Sequence, residues 1–353
     1  MTAVTFSAIP EIDISRARFG DESDRAALIA ELRQVCHEVG FFHLVGHGVP
    51  VEFLDRYTTQ LEAFFALPES VKATIDKVNS RHFRGWERVG AELTDNCTDY
   101  REQIDLSGEH PPYPADVEPS YLRLDGPNQW LAEDVLPGFR STVEEWFRRL
   151  GAIADELMGL LALGLGLDEG HFRRLFGERP LPFVKLISYP PTPPGEAGVN
   201  AHHDAGFLTI LLQDRVGGLQ ALNPDGEWID VPPRRDAFVV NLGEMLQALT
   251  GNYFVATTHR VIANEPRFSS AYFHGPDLRT VLAPLDLDDS LVDAVAASPR
   301  HANAGFMAKR DELLAGQGGI GSASAAVYGE QLWNYYRRSY PANVARHYPD
   351  DSI

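Results

Sequence analysis

The chain has 353 residues, 44% of them hydrophobic, with 30 glycines, 24 prolines and a formal charge of −19. That is a globular composition rich in turns, and so acidic a surface repels phosphate backbones and anionic lipid, which argues against nucleic acid or membrane partners. Two cysteines, Cys36 and Cys97, are too few for a disulfide framework and point to a reducing cytoplasm.

The start, Met-Thr-Ala-Val-Thr-Phe, lacks a basic region followed by an apolar core, so no signal peptide is expected. The longest apolar run, near Leu157 to Leu167, is broken by glycines and too short to span a bilayer. Length alone allows two domains, although single sheet-based enzymes reach this size. Arginine outnumbers lysine 27 to 4, a sign of a GC-rich genome rather than of mechanism.

Ile9 to Ser15 alternates and is predicted as a first strand. Leu28, Leu32, Val35, Cys36 and Val39 recur at helical spacing, so residues 24–39 are predicted as an amphipathic helix closed by Gly40. Phe41 to Val45 is the next strand, and Gly46 to Pro50 a turn. His43 and His47 fall here, and packing or turn hydrogen bonds are the expected roles, since no carboxylate or thiolate set lies nearby.

Arg81 to Glu92 is a charged, aromatic, glycine-punctuated loop over Trp86. Asp99 to Leu106 alternates as a strand, and Glu109 to Asn128 is an irregular connection rich in prolines and acids. Val143, Trp146, Phe147, Leu150, Ile153, Leu157 and Leu160 mark a long helix that supports a sheet. Phe183 to Tyr189 is a strand stopped by Pro190 and Pro191.

Asn200 to Gln213 reads as one further strand that opens on His202-His203-Asp204. Gly217 to Leu222 pairs with Glu227 to Val231 across the turn Asn223 to Gly226, and Phe238 to Leu242, His259 to Ile262 and Ser270 to Phe273 complete the strands. Tyr328 to Arg338 reads as a C-terminal helix over the core. Many short strands behind helices predict a mainly β fold with flanking helices, a double-stranded β-helix or jelly roll. The expectation is one domain over 1–353: an N-terminal region to about 130, a core at about 180–280 and a C-terminal helix at about 325–340.

Alternate side chains of a strand share a face, so His202 and Asp204 point one way and His203 the other. His259, in a similar strand-like context, lies 57 residues on. Two histidines and one carboxylate on one side of a metal leave its opposite positions open, which suits non-haem Fe(II) and oxygen. Zinc hydrolysis uses similar ligands, but no separate general base is marked. Arg267 requires an anion, because a buried guanidinium is costly alone and its fork fits a carboxylate. Ser269, two residues on, shares its face.

His202-x-Asp204, distal His259 and Arg267-x-Ser269 together resemble the Fe(II)/2-oxoglutarate-dependent oxygenases, in the branch of isopenicillin N synthase, the plant flavonoid dioxygenases and the ethylene-forming enzyme. Glu38 to Pro50, and Phe64 to Pro68 followed by Lys72, resemble that branch's N-terminal signature. The resemblance implies Fe(II) on His202, Asp204 and His259, with O2 and 2-oxoglutarate as co-substrates. It implies that Arg267, Ser269 and Tyr189 hold the far carboxylate of 2-oxoglutarate. For a small-molecule substrate it points to Phe273 near the iron, and to Arg84, Glu92, Lys185 and Arg338. The expected reaction is hydroxylation, desaturation or ring closure with release of succinate and CO2. A 2-oxoglutarate-independent oxidase, ethylene-forming fragmentation and a non-catalytic sensor are the alternatives.

Overall fold

The computed structural model describes residues 5–94, 97–298, 301 and 326–351. Twelve strands build two facing sheets. The N-terminal region supplies β1 (Glu11–Asp13), β2 (Phe41–Val45), β3 (Gly85–Glu87) and β4 (Glu102–Ser107). The next four are β5 (Phe183–Tyr189), β6 (Val199–His202), β7 (Leu208–Gln213) and β8 (Leu219–Leu222). The last are β9 (Trp228–Asp230), β10 (Phe238–Leu242), β11 (His259–Val261) and β12 (Arg267–His274). The major sheet runs β1-β2-β10-β7-β12-β5-β4-β3 and the minor sheet β9-β8-β11-β6. This is the expected jelly-roll core with flanking helices, and the N-terminal strands extend its major sheet at both edges.

Alternation along the strands divides the interior in two. Val184, Leu186, Ile210, Leu212, Val240 and Tyr272 turn outward to the larger apolar cluster. That cluster is roofed by α3 (Phe139–Gly164), which buries Val143, Trp146, Leu150, Ile153 and Leu157. Ile187, Tyr189, Val239 and Phe41 turn inward to a smaller cluster shared with Val199, Ala221 and Val261 of the minor sheet. Polar side chains enter the interior on this inner face.

Before α3 come α1 (Glu22–Glu38) and α2 (Val51–Phe65). Asp21 starts α1 with a capping box: it accepts from Ser23 and Asp24 backbone N–H groups, and Asp24 accepts back from Asp21. Gly40 ends it at φ +68°, where a Cβ would lie 1.9 Å from the Val255 carbonyl oxygen. After the core, α4 (Tyr328–Ser339) and α5 (Pro341–His347) close one end. No helix among the described residues is long and apolar enough to cross a membrane.

One prediction fails in detail. Asn200 to Gln213 is not one strand: β6 ends at His202, and β7 begins at Leu208 in the other sheet. The chain must cross between sheets here, and Gly243 allows the crossing to pack tightly. A Cβ on Gly243 would lie 2.2 Å from the Gly206 carbonyl oxygen. Ile9 to Ser15 likewise shortens to the three residues of β1.

Candidate active site

His202 and His259 face each other across β6 and β11 in direct register, with a bulge between His259 and Val261. Their ring centroids are 4.3 Å apart. Each ring is oriented by its Nδ1, which meets the Asn200 carbonyl at 2.8 Å and the Thr257 carbonyl at 3.0 Å, respectively. A carbonyl can only accept, so Nδ1 carries the proton and each Nε2 keeps a lone pair. Asp204 sits past the end of β6, with Oδ1 3.7 Å from both Nε2 atoms. Its Oδ2 accepts from the Thr209 hydroxyl and, at 2.6 Å, from Asn241 Nδ2. Two imidazole lone pairs and one carboxylate oxygen thus converge within 4.8 Å, a donor set that fits a divalent transition metal.

The electrostatics agree with ligation. Burial and the neighbouring His259 push His202 down to about 3, so it is neutral at pH 7. Burial pushes the Asp204 carboxyl up, but His259, His202, Thr209 and Asn241 outweigh it and hold Asp204 below its usual value. His203 turns away as predicted: its Nε2 meets Thr258 Oγ1 at 2.9 Å and its Nδ1 lies 3.5 Å from Glu244. His47 accepts from the Val49 backbone N–H at 3.1 Å, the expected turn bond. His43 is buried, and among the described residues neither ring nitrogen has a hydrogen-bond partner.

Arg267 lies on the inner face of β12, wholly buried, and among the described residues it makes no ion pair. Its Nη2 donates to Gln213 Oε1 at 3.1 Å and its Nη1 to Ser269 Oγ at a long 3.4 Å, while Nε has no hydrogen-bond partner among the described residues. Tyr189, its partner across β5, puts its ring 4.7 Å from the guanidinium and its hydroxyl 3.5 Å from Ser269 Oγ. A buried cation with loose neutral contacts has donors to spare for an anion.

The residues proposed for substrate are dispersed. Phe273 is half-buried on the inner face, its ring 5.9 Å from Phe183. Arg84 is buried and donates to the His82 and Leu124 carbonyls at 2.8 and 2.9 Å. Arg338 is exposed and donates to the Asn334 carbonyl of its own helix at 3.2 Å. Glu92 and Lys185 are brought together, with Nζ 2.8 and 3.0 Å from the two carboxylate oxygens. Asn241 and Thr209, which orient Asp204, and Arg101, which touches Glu92, are missing from the sequence reading. Asn241 had a signal, as the single polar residue in Phe238 to Leu242.

A jelly roll with two histidines and one carboxylate at its mouth defines a mononuclear non-haem metal enzyme. Residues 9–133 match the family described as non-haem dioxygenase in morphine synthesis, N-terminal, and residues 180–276 match the 2OG-Fe(II) oxygenase superfamily. A 2-oxoglutarate-dependent dioxygenase from Dothideomycetidae sp. (strain 11243) is 32% identical over 98% of this chain and 91% of its own. A homoarginine-6-hydroxylase from Glycine max is 32% identical over 80% of this chain and 90% of its own. The crystal structure of a full-length Neurospora crassa protein in complex with alpha-KG and thymine superposes with a TM-score of 0.73 at 25% identity, covering 94% of this chain and 97% of that one. The chain belongs to the 2OG-Fe(II) oxygenase superfamily, and it is an Fe(II)- and 2-oxoglutarate-dependent dioxygenase that uses O2.

Proposed function

We propose that His202, Asp204 and His259 hold the Fe(II), and that Arg267, Ser269 and Tyr189 take the distal carboxylate of 2-oxoglutarate. The observation that carries this is Arg267, a buried cation with no acid paired to it among the described residues, on the inner face of the same barrel as the triad. When bound, the iron supplies the redox chemistry by which O2 and 2-oxoglutarate become succinate and CO2 and the substrate is oxidised. The chain's part is orientation: Asn200 and Thr257 fix the imidazole tautomers, and Thr209 and Asn241 leave one Asp204 oxygen for the metal.

The organic substrate is a small molecule, and Phe273, on the inner face of β12, is the side chain nearest in kind to a substrate contact. The Glycine max relative is named for homoarginine, and the Neurospora crassa structure holds thymine, both small molecules. Cys36 is buried and Cys97 exposed, both as free thiols, which supports a cytoplasmic setting. Anaerobic titration with Fe(II) and 2-oxoglutarate tests the reading. A weak visible charge-transfer band of a chelated 2-oxo acid is expected, followed by succinate release on admitting oxygen. Substrate oxidation with no band and no succinate would select a 2-oxoglutarate-independent oxidase instead.

A further inference from the structure

The two histidines of the triad stand on β6 and β11, but the groups that orient them are held from the N-terminal region. Asn200, whose carbonyl accepts from His202 Nδ1, is gripped by Asp99. Asp99 Oδ1 accepts from the Asn200 backbone N–H at 3.1 Å and from Asn200 Nδ2 at 2.9 Å. Thr257, whose carbonyl accepts from His259 Nδ1, donates its own hydroxyl to the carbonyl of Val39, just past the end of α1. Two residues on from Val39, the Phe41 ring lies 5.6 Å from that of His259.

Asp99 is the costly member of this layer. It is wholly buried, and a buried carboxylate is stable only when its oxygens are satisfied. Beyond the two donors of Asn200, Thr94 Oγ1 donates to Oδ2 at 2.7 Å and Arg101 Nη2 lies 3.0 Å from Oδ2. Arg101 balances the charge. The Asn200 contacts serve position, because one carboxylate oxygen receives both the backbone and the side-chain N–H of a single residue.

The strand needs such a fixture. β6 has four residues and is an edge of the minor sheet, and its pairing with β11 is broken by the bulge between His259 and Val261. A short edge strand beside a bulge has few ladder bonds to hold its peptides. The segment around Asp99 supplies others: the Tyr100 N–H donates to the Ala197 carbonyl at 3.1 Å, and Asn200 Nδ2 also donates to the Thr98 carbonyl at 3.1 Å.

We infer that the N-terminal region forms an outer layer of the metal centre, in which Asp99 and Thr257 are positioning residues. Asp99 holds the Asn200 carbonyl where it fixes the His202 tautomer. The Thr257 hydroxyl, anchored on Val39, does the same for the carbonyl that fixes His259. Neither side chain offers an atom to the metal, so each acts through a histidine. The inference rests on His202 and His259 being iron ligands and adds what sets their orientation.

The test titrates the metal-free protein anaerobically with Fe(II), and separately with Co(II), whose visible ligand-field spectrum reports coordination geometry. Asp99→Ala and Thr257→Val should each weaken both metals about tenfold, as when the group behind a metal-bound histidine is removed. The Co(II) spectrum per metal bound should change shape, because the imidazole is freed to turn. Asp99→Asn keeps an amide oxygen for the Asn200 N–H and should recover part of the affinity. Thr257→Ser keeps the hydroxyl and should recover most of it. Urea unfolding of the metal-free variants separates a purely structural role. Lower stability with parent affinity for both metals and an unchanged Co(II) spectrum would overturn the inference. If Asp99→Ala does not fold, Asp99→Asn and Thr257→Val, both expected below the parent, decide. His202→Ala is the reference. Parent affinity in that variant overturns the ligand assignment and this inference with it. Lost affinity there, with parent affinity in Asp99→Ala and Thr257→Val, overturns this inference alone.

Discussion

At the scale of single residues, His202 and His203 differ by one position and by everything that matters. His202 presents Nε2 to Asp204 and His259, whereas His203 is engaged with Thr258 and Glu244 on the far side. His202→Ala, Asp204→Ala and His259→Ala should each abolish Fe(II)-dependent turnover, and His203→Ala should still bind Fe(II) in equilibrium titration. Equal loss in a folded His203 variant would refute the ligand set. Arg267→Ala should weaken 2-oxoglutarate by roughly 2–5 kcal/mol, as when one member of a buried charged pair is removed. Arg267→Lys should recover part of this, since a point charge lacks the two-pronged contact. Ser269 Oγ makes long hydrogen bonds of 3.4 and 3.5 Å to Arg267 and Tyr189, so Ser269→Ala should cost about 1 kcal/mol. The comparison is the chelate-band titration of all three variants. The triad was legible because its chemistry is local, with His-x-Asp in one short phrase. The Glu92–Lys185 pair was not, because the partners are 93 residues apart, Lys185 on β5 and Glu92 in the segment before β4.

At the scale of elements, alternation and helical spacing revealed most of the strands and both flanks of the barrel. They did so because each element buries one face: Phe238 to Leu242 sends Val240 outward and Val239 and Asn241 inward. The split of Asn200 to Gln213 was hidden, since a sheet crossing needs no change in apolar content. The helix Val51–Phe65 was overlooked although Phe53, Leu54, Tyr57, Leu61, Phe64 and Phe65 are spaced for it. Gly40 was read correctly as the end of α1, and the structure gives it a second duty. It hands the chain to Phe41, whose ring lies 5.6 Å from that of His259. Gly40→Ala combines a left-handed penalty of about 1–2 kcal/mol with a backbone collision. It should lower stability by more than Asp21→Ala, which loses a cap worth about 1 kcal/mol. Urea unfolding of the two variants ranks them, and a Gly40→Ala protein as stable as Asp21→Ala would remove the steric argument.

At the scale of the whole molecule, acid should unfold this protein through its buried neutral histidines. Burial pushes His82 down to about 4, and His43 and His47 are lowered from 6.5 by the same cause. In the unfolded chain these rings take up protons near pH 6.5, while the folded protein does not. The unfolded state therefore binds more protons, and stability rises with pH across this window. Its full value is present above the unfolded pKa and is lost as pH falls from 7 towards 4. His82 is 5% exposed, so solvent screening discounts it little, and its share of the loss is about 2 kcal/mol by pH 5. One effect opposes this. The formal charge of −19 shrinks towards a sequence pI of about 5.0, which relieves self-repulsion. At physiological salt the screening length is about 8 Å, so the exposed charges contribute less than the buried rings. Metal-free protein should thus show a urea midpoint that falls steadily from pH 7.5 to pH 5. His82→Gln can keep a donor towards the Arg123 carbonyl, now held by His82 Nδ1 at 2.8 Å, without a titrating ring. It should flatten the slope by about one proton. A midpoint independent of pH over this range, in both proteins, would mean that the buried histidines gain protons without unfolding the chain.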